Sequence, residues 1–390
     1  MNNFLEKFFK KNKLIIYLLD KLIFIVFLPV IILDKTKRKK SSNFYNILII
    51  ELWGIGDLVM MSPILKSLKS GFPQARITLL SKNFGKDLLG NCEYVDKFVE
   101  FDFPWTRFKG KYRLWDWDWK SLIRIIKKLK KEKFDLVLDA RGDIRNNLLS
   151  FLVGTEKRVG YGWRGAGYFL TDIGSPDFKL QHRSKAWINL LFHLGIKEIS
   201  DKPFISIERK AADGATDFLR NQGIRDGELV IGIHPGAGVK TRCWPLDRFA
   251  KVAEYIRDNY HAKILVFVEP GGYANDIPVK GEILKVKLVL RELITLISKL
   301  DLLICNDSGV MHIASAVDTQ TIAIFGPGDI TKIGPIGDKC KVVMKQNVSC
   351  RPCFDNCKFD RPFCLDAIKV VEVIEAVDSV VGKDNVRLSV

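Results

Sequence analysis

Short apolar runs alternate along this chain with stretches in which apolar residues recur every three or four positions. The runs at 47–50, 75–81, 134–140, 229–233, 264–268, 286–290, 302–304 and 321–325 have the length and composition of buried strands. The stretches at 57–70, 117–131, 246–259, 291–299, 309–317 and 366–381 have helical spacing. Strand, turn and helix, repeated through two successive sets, predict an α/β protein. Its two halves are Rossmann-like, doubly wound domains, with the strand ends facing a cleft between them. Residues 44–206 form the first half and 229–365 the second; 207–228 read as a linker with one helix, and 366–390 as a closing helix and tail.

Residues 1–43 follow another pattern. Positions 14–33 are apolar except for Asp20 and Lys21, and the uninterrupted part, 22–33, contains Pro29. Lys7, Lys10, Lys11 and Lys13 precede this run, and Lys35, Lys37, Arg38, Lys39 and Lys40 follow it. A spanning helix needs about 20 apolar residues, and positive charge on both flanks gives no orientation signal. The segment is therefore expected to lie in, or dip into, an anionic membrane surface, with a single span over 14–33 as the alternative. The apolar run ends in Asp34-Lys35 without a small-residue cleavage site, so no cleavable signal peptide is expected. The expected location is cytoplasmic, at the inner face of the cell membrane.

Composition sharpens this picture. A chain of 390 residues that is 47% hydrophobic is globular and long enough for two domains. The formal charge of +17 calls for an anionic partner, and residues 1–40 carry +7 of it, ten Lys and Arg against three Asp and Glu. No RNA-binding signature, zinc finger or basic zipper is present, so lipid headgroups and phosphorylated sugars are expected rather than nucleic acid.

The turns carry the candidate chemistry. Glu51-Leu52-Trp53-Gly54-Ile55-Gly56-Asp57 follows the first strand. The third glycine of the dinucleotide fingerprint is missing, which argues against an oxidoreductase. Asp57 lies at the tip of a loop holding Gly54 and Gly56, at a strand's C-terminal end, where it could face the cleft or simply cap the helix that follows. The turn from His234 to Pro245 holds Gly236, Gly238, Lys240 and Arg242. In Cys305-Asn306-Asp307-Ser308-Gly309-Val310-Met311-His312, Asp307 and Ser308 suit a helix N-cap, and Gly309 admits a ligand to the backbone. The free N–H groups there make an anion site with His312 in the first turn, an ordinary capped helix being the alternative.

Other stretches leave two readings open. Residues 158–165 form a glycine-rich basic loop, either a simple turn or a phosphate contact through Arg158 and Arg164. The aromatic stretch 105–119, with Arg107, Lys109, Lys111 and Arg113, is a loop packed over the core or one that holds a flat or anionic ligand. Cys350, Cys353, Cys357 and Cys364 suffice by count for a structural zinc or iron–sulfur site, though their spacing is irregular for a zinc ribbon. Reduced thiols or a redox-sensitive pair are the alternative.

Four stretches, at 53–57, 234–245, 306–312 and 325–329, together resemble glycosyltransferase family 9, the bacterial lipopolysaccharide heptosyltransferases. The resemblance implies a GT-B fold with the acceptor on the first domain and a nucleotide-diphosphate sugar on the second. It implies inverting, metal-independent transfer without a cofactor, most often of heptose from ADP-heptose to a lipopolysaccharide core. A lipid-linked or phosphorylated glycan acceptor follows. Asp57 matches the family's general base. Ser308, Gly309 and His312 match the diphosphate site, with Arg242, where many members have lysine, and Lys240 beside it. Asp307 matches the neighbour of the donor sugar, and Leu288 that of the nucleotide base. Residues 268–273 depart from the pattern, because the usual ribose-binding acid is not clearly presented. The same scaffold also suits a hexose or N-acetylhexosamine transferred to a polysaccharide or protein, or a noncatalytic nucleotide-sugar-binding membrane protein.

Overall fold

The computed structural model describes residues 13–36, 43–107, 111–177, 181–269, 272–359 and 361–384. The chain forms two compact units, Met1–Asp201 and Lys202–Val390. In the first unit six parallel strands form one sheet: β1 (Asn46–Ile50), β2 (Arg76–Ser81), β3 (Lys97–Glu100), β4 (Leu136–Asp139), β5 (Lys157–Gly160) and β6 (Asp172–Ile173). Their order is β3-β2-β1-β4-β5-β6. Ile47, Leu48 and Ile49 of β1 pair with β2 on one side and β4 on the other, so the strand is buried on both faces and reads as one apolar run. The second unit repeats the plan with β7 (Val230–His234), β8 (Lys263–Phe267), β9 (Leu284–Val286), β10 (Leu302–Asn306), β11 (Thr321–Ile324) and β12 (Cys340–Val343). Its order is β12-β11-β10-β7-β8-β9, all parallel. In each sheet the winding reverses between two central strands, β1 and β4 in the first, β7 and β10 in the second. The loops leaving those strands open a crevice, the usual place for a ligand.

Several elements differ from the sequence reading. The helix expected over 57–70 is two, Ile55–Met61 and Pro63–Gly71, because Pro63 has no N–H to continue the first. The strand expected over 286–290 lies at Leu284–Val286, and Leu290 already opens the helix Leu290–Ile297. Arg158 lies in β5 rather than in a loop. The aromatic stretch packs over the core. Trp105 is buried, its Nε1 donating to Asn146 Oδ1 at 3.1 Å, and its ring leads through Trp117 to Trp119. Lys109 of that stretch lies outside the described residues.

The N-terminal apolar segment is a helix, Lys13–Thr36, packed on the first unit. Ile23, Phe24, Phe27 and Ile31 meet Ile144, Leu148, Phe151, Tyr168 and Phe169. Asp20 Oδ1 accepts from Ala166 N at 2.7 Å and from the Tyr168 hydroxyl at 3.2 Å. Asp34 accepts from Arg158 Nη2 at 2.5 Å. No helix among the described residues is long and apolar enough to cross a membrane. The basic flanks at Lys7, Lys10 and Lys11 and at Lys37, Arg38, Lys39 and Lys40 lie outside the described residues.

Candidate active site

Two loop pairs occupy the two crevices, one in each unit. In the first, the loop after β1 meets the loop after β4. Asp57 sits in the first turn of the Ile55–Met61 helix, a fifth exposed. Its Oδ2 accepts from Gly54 N at 3.2 Å, which orients the carboxylate. Its Oδ1 takes Arg141 Nη1 at 3.2 Å and faces Arg183 Nε at 3.6 Å. Arg141 lies over the Trp53 ring at 4.2 Å, so its guanidinium is held by an aromatic face and a carboxylate. Asp139, fully buried at the end of β4, shapes the turn that presents Arg141. It accepts from Arg141 N at 2.8 Å, Gly142 N at 3.3 Å and Asn146 Nδ2 at 2.5 Å. Burial nevertheless pushes the Asp139 carboxyl up to about 6. Gly142 takes φ +64° between Tyr161 and Trp163, a conformation and a space that suit only glycine.

Beneath Asp57 lies Glu51, buried, accepting from Trp53 N at 3.1 Å. Burial first, and the Asp57 charge second, push its carboxyl up to about 8, while Arg141 opposes the shift. At neutral pH Glu51 is therefore mostly protonated. The folded protein keeps a proton that the unfolded chain loses near 4.5, so the Glu51 contribution to stability falls as pH rises from about 5 to about 8. The slope is at most about 1.4 kcal/mol per pH unit. Glu51→Gln is expected to gain stability relative to wild type across that window. Denaturant midpoints at pH 5.5 and 8.5 measure this; a difference independent of pH would mean that Glu51 is ionised in the fold.

Of the two arginines expected to meet the acceptor, the structure corrects one. Arg158 is buried and its guanidinium is engaged by Asp34, the Phe169 carbonyl at 2.7 Å and the Thr155 carbonyl. It is a structural cation that holds the N-terminal helix. Arg164 is more than half exposed and stands 4.0 Å from Asp143. Arg141 and Arg183 are the basic residues that sequence reasoning missed. Arg141 follows the apolar run of β4 in Asp139-Ala140-Arg141-Gly142, which was the available signal. Arg183 had none, since it belongs to the helix Arg183–Phe192 far along the chain.

In the second unit the loops after β7 and β10 are tied together by Asn306. Its side chain accepts from Trp244 N at 3.0 Å and donates to Pro235 O at 2.6 Å. Asp307 is buried behind it, with Arg242 Nη1 3.4 Å from Oδ1 and no partner for Oδ2 among the described residues. Burial pushes the Asp307 carboxyl up to about 6 despite Arg242. Gly328 leaves room for it, because a Cβ there would overlap Oδ2. Ser308 is the N-cap of the helix Gly309–Ala316, and its buried Oγ has no partner among the described residues. His312 is buried in the first turn of that helix. Lys240 is exposed in the same loop as Arg242, and Gly236 and Gly238 precede them. Leu288 is half-buried between β9 and the next helix.

Arg242 is held by more than Asp307. Asp355 takes its Nε at 2.7 Å and its Nη2 at 2.8 Å. Asp355 lies within the late cysteine stretch, which closes on the loop after β11: Cys353 N and Phe354 N both donate to Pro327 O at 3.2 Å. That stretch therefore buttresses the basic loop. All four late cysteines are free thiols, and no three His, Cys, Asp or Glu side chains among the described residues gather to hold a metal. The metal reading of the cysteine spacing therefore has no such group to support it among the described residues.

Two sheets of this order, a carboxylate at the first switch point, and a helix N-terminus with basic side chains at the second, are the arrangement of a GT-B glycosyltransferase. The family described as "Glycosyltransferase family 9 (heptosyltransferase)" matches residues 122–362, and the chain belongs to that family. It is similar to lipooligosaccharide heptosyltransferase 2 of Haemophilus influenzae, 27% identical over 76% of this chain and 88% of that one. It is also similar to lipopolysaccharide heptosyltransferase 2 of Escherichia coli, 23% identical over 76% and 87%. The fold matches a family 9 glycosyl transferase from Veillonella parvula with a TM-score of 0.73 at 21% identity, covering 88% of this chain and all of that one.

Proposed function

We propose that this glycosyltransferase moves a heptosyl unit from ADP-heptose to a lipopolysaccharide core or a related lipid-linked glycan at the cytoplasmic face of the membrane. The observation that carries the reading is Asp57: an oriented, partly exposed carboxylate at the first switch point, ringed by arginines. In the step, the acceptor hydroxyl oxygen forms a bond to the anomeric carbon. The bond from that carbon to the donor phosphate breaks, and its electron pair leaves on the diphosphate. Asp57 takes the hydroxyl proton. A single displacement inverts the anomeric configuration.

The leaving diphosphate needs positive charge and fixed N–H groups. The Gly309–Ala316 helix N-terminus supplies the second, with Ser308 and Gly309 leading. Lys240 and Arg242 supply the first, with His312 beside them, so no metal is required in this reading. By the family resemblance, Asp307 would contact the donor sugar and Leu288 the nucleotide base. Arg141, Arg183 and Arg164 suit an acceptor carrying phosphate or carboxylate groups.

Purified protein offered ADP-heptose, UDP-hexoses and GDP-hexoses in turn tests the donor, with nucleotide release as the readout and a chelator in parallel reactions. Release from ADP-heptose alone, unchanged by chelator, is expected. Release from a hexose donor instead would move the reading to another sugar, and chelator-sensitive release restored by magnesium would overturn the metal-free mechanism.

A further inference from the structure

The Lys13–Thr36 helix has two unlike faces. Asp20, Ile23, Phe24, Phe27, Ile31 and Asp34 recur at helical spacing and form the face that meets the first unit. Tyr17, Leu18, Leu22, Ile25, Val26, Val30, Ile32 and Leu33 cover the rest and are half or more exposed, Ile25 and Val26 at 64%. Lys21 is the one charged residue on that outer face between Tyr17 and Leu33. A contiguous apolar face of this kind does not stay in water.

We propose that the outer face is a lipid-binding surface, and that the helix lies in the plane of an anionic bilayer while its inner face stays bolted to the acceptor-side unit. Three observations choose lipid. The helix is not long and apolar enough to cross. Its two buried-side carboxylates are both committed to the protein, Asp20 to Ala166 and Tyr168, Asp34 to Arg158, so it cannot tilt away without breaking them. The chain on either side of it is strongly basic, and residues 1–40 carry +7, which suits anionic headgroups and opposes a like-charged second copy. An ordinary interfacial helix keeps a polar face to water; here the protein body takes that place. The attachment fixes how the first unit meets the membrane. It does not depend on which sugar is transferred.

Flotation of the full chain with phosphatidylglycerol-containing vesicles, without donor or acceptor, tests the proposal apart from any turnover. Wild type is expected to float with anionic vesicles, and to float less with pure phosphatidylcholine or at high salt. The double substitution Ile25→Glu with Val26→Glu is expected to weaken binding by about tenfold or more while the unfolding temperature holds, since both side chains are exposed. Leu22→Glu with Leu33→Glu is a second variant with the same expectation. A photoreactive benzophenone side chain is expected to crosslink lipid from position 25 and protein from position 27. Undiminished flotation of both variants, or lipid crosslinks from both positions, would overturn the in-plane arrangement. So would a vesicle-indifferent wild type that dimerises through this face and is made monomeric by the same substitutions.

Discussion

Asp57→Asn is expected to lower the rate of sugar transfer by about two to four orders of magnitude, the usual worth of a positioned general base. The asparagine side chain keeps the volume and an oxygen for Gly54 N, while its NH2 no longer accepts from Arg141. What is lost is the group proposed to take the proton from the acceptor hydroxyl. The donor site proposed in the second unit is untouched, so affinity for the nucleotide sugar should stay within about twofold. Stopped-time assays of nucleotide release, with calorimetric binding of the nucleotide diphosphate alongside, separate the two effects. Equal turnover by wild type and variant would put the base in another loop. Binding without turnover in either protein, with acceptor supplied, would favour a noncatalytic sugar-nucleotide-binding protein.

The second large effect is on stability. Asp34→Ala is expected to destabilise the first unit by about 2–4 kcal/mol, because it strands the buried Arg158 guanidinium. The Arg158 side chain is 1% exposed, whereas Asp34 is a quarter exposed, which places the cost toward the lower end of what a broken buried pair shows. The Phe169 and Thr155 carbonyls retain part of the cation's hydrogen bonding. For a unit of this size such a loss lowers the unfolding temperature by several degrees, about 2–4 °C per kcal/mol. Replacing both partners, Asp34→Ala with Arg158→Met, is expected to recover part of it, since no charge is then left buried. A single variant as stable as wild type would mean that the helix is not anchored through this pair.

The central strands were legible because burial on both faces makes them unbroken apolar runs, as at 47–50 and 302–304. The last two strands of the first sheet were not. β5 reads Lys-Arg-Val-Gly and the edge strand β6 is two residues long, so neither has a hydrophobic pattern to find. The places of Asp57, Asp307 and Ser308 in the turns after β1 and β10 could be read from the chain because strand, turn and helix follow each other locally. Arg183 and Asp355 could not, since they reach the site through tertiary packing from distant segments. Arg158 was misjudged for a related reason: its partner, Asp34, is 124 residues away. The N-terminal segment was read as a separate module, whereas its helical stripe and two carboxylates attach it to the first unit.

Mass and anomeric analysis of the product made by the wild-type protein from ADP-heptose and a lipopolysaccharide-core acceptor is the most direct measurement. The expected product is an acceptor heavier by one heptosyl residue, linked with configuration opposite to that in the donor. An unmodified acceptor, a retained configuration, or a hexosyl product from a competing donor would contradict it.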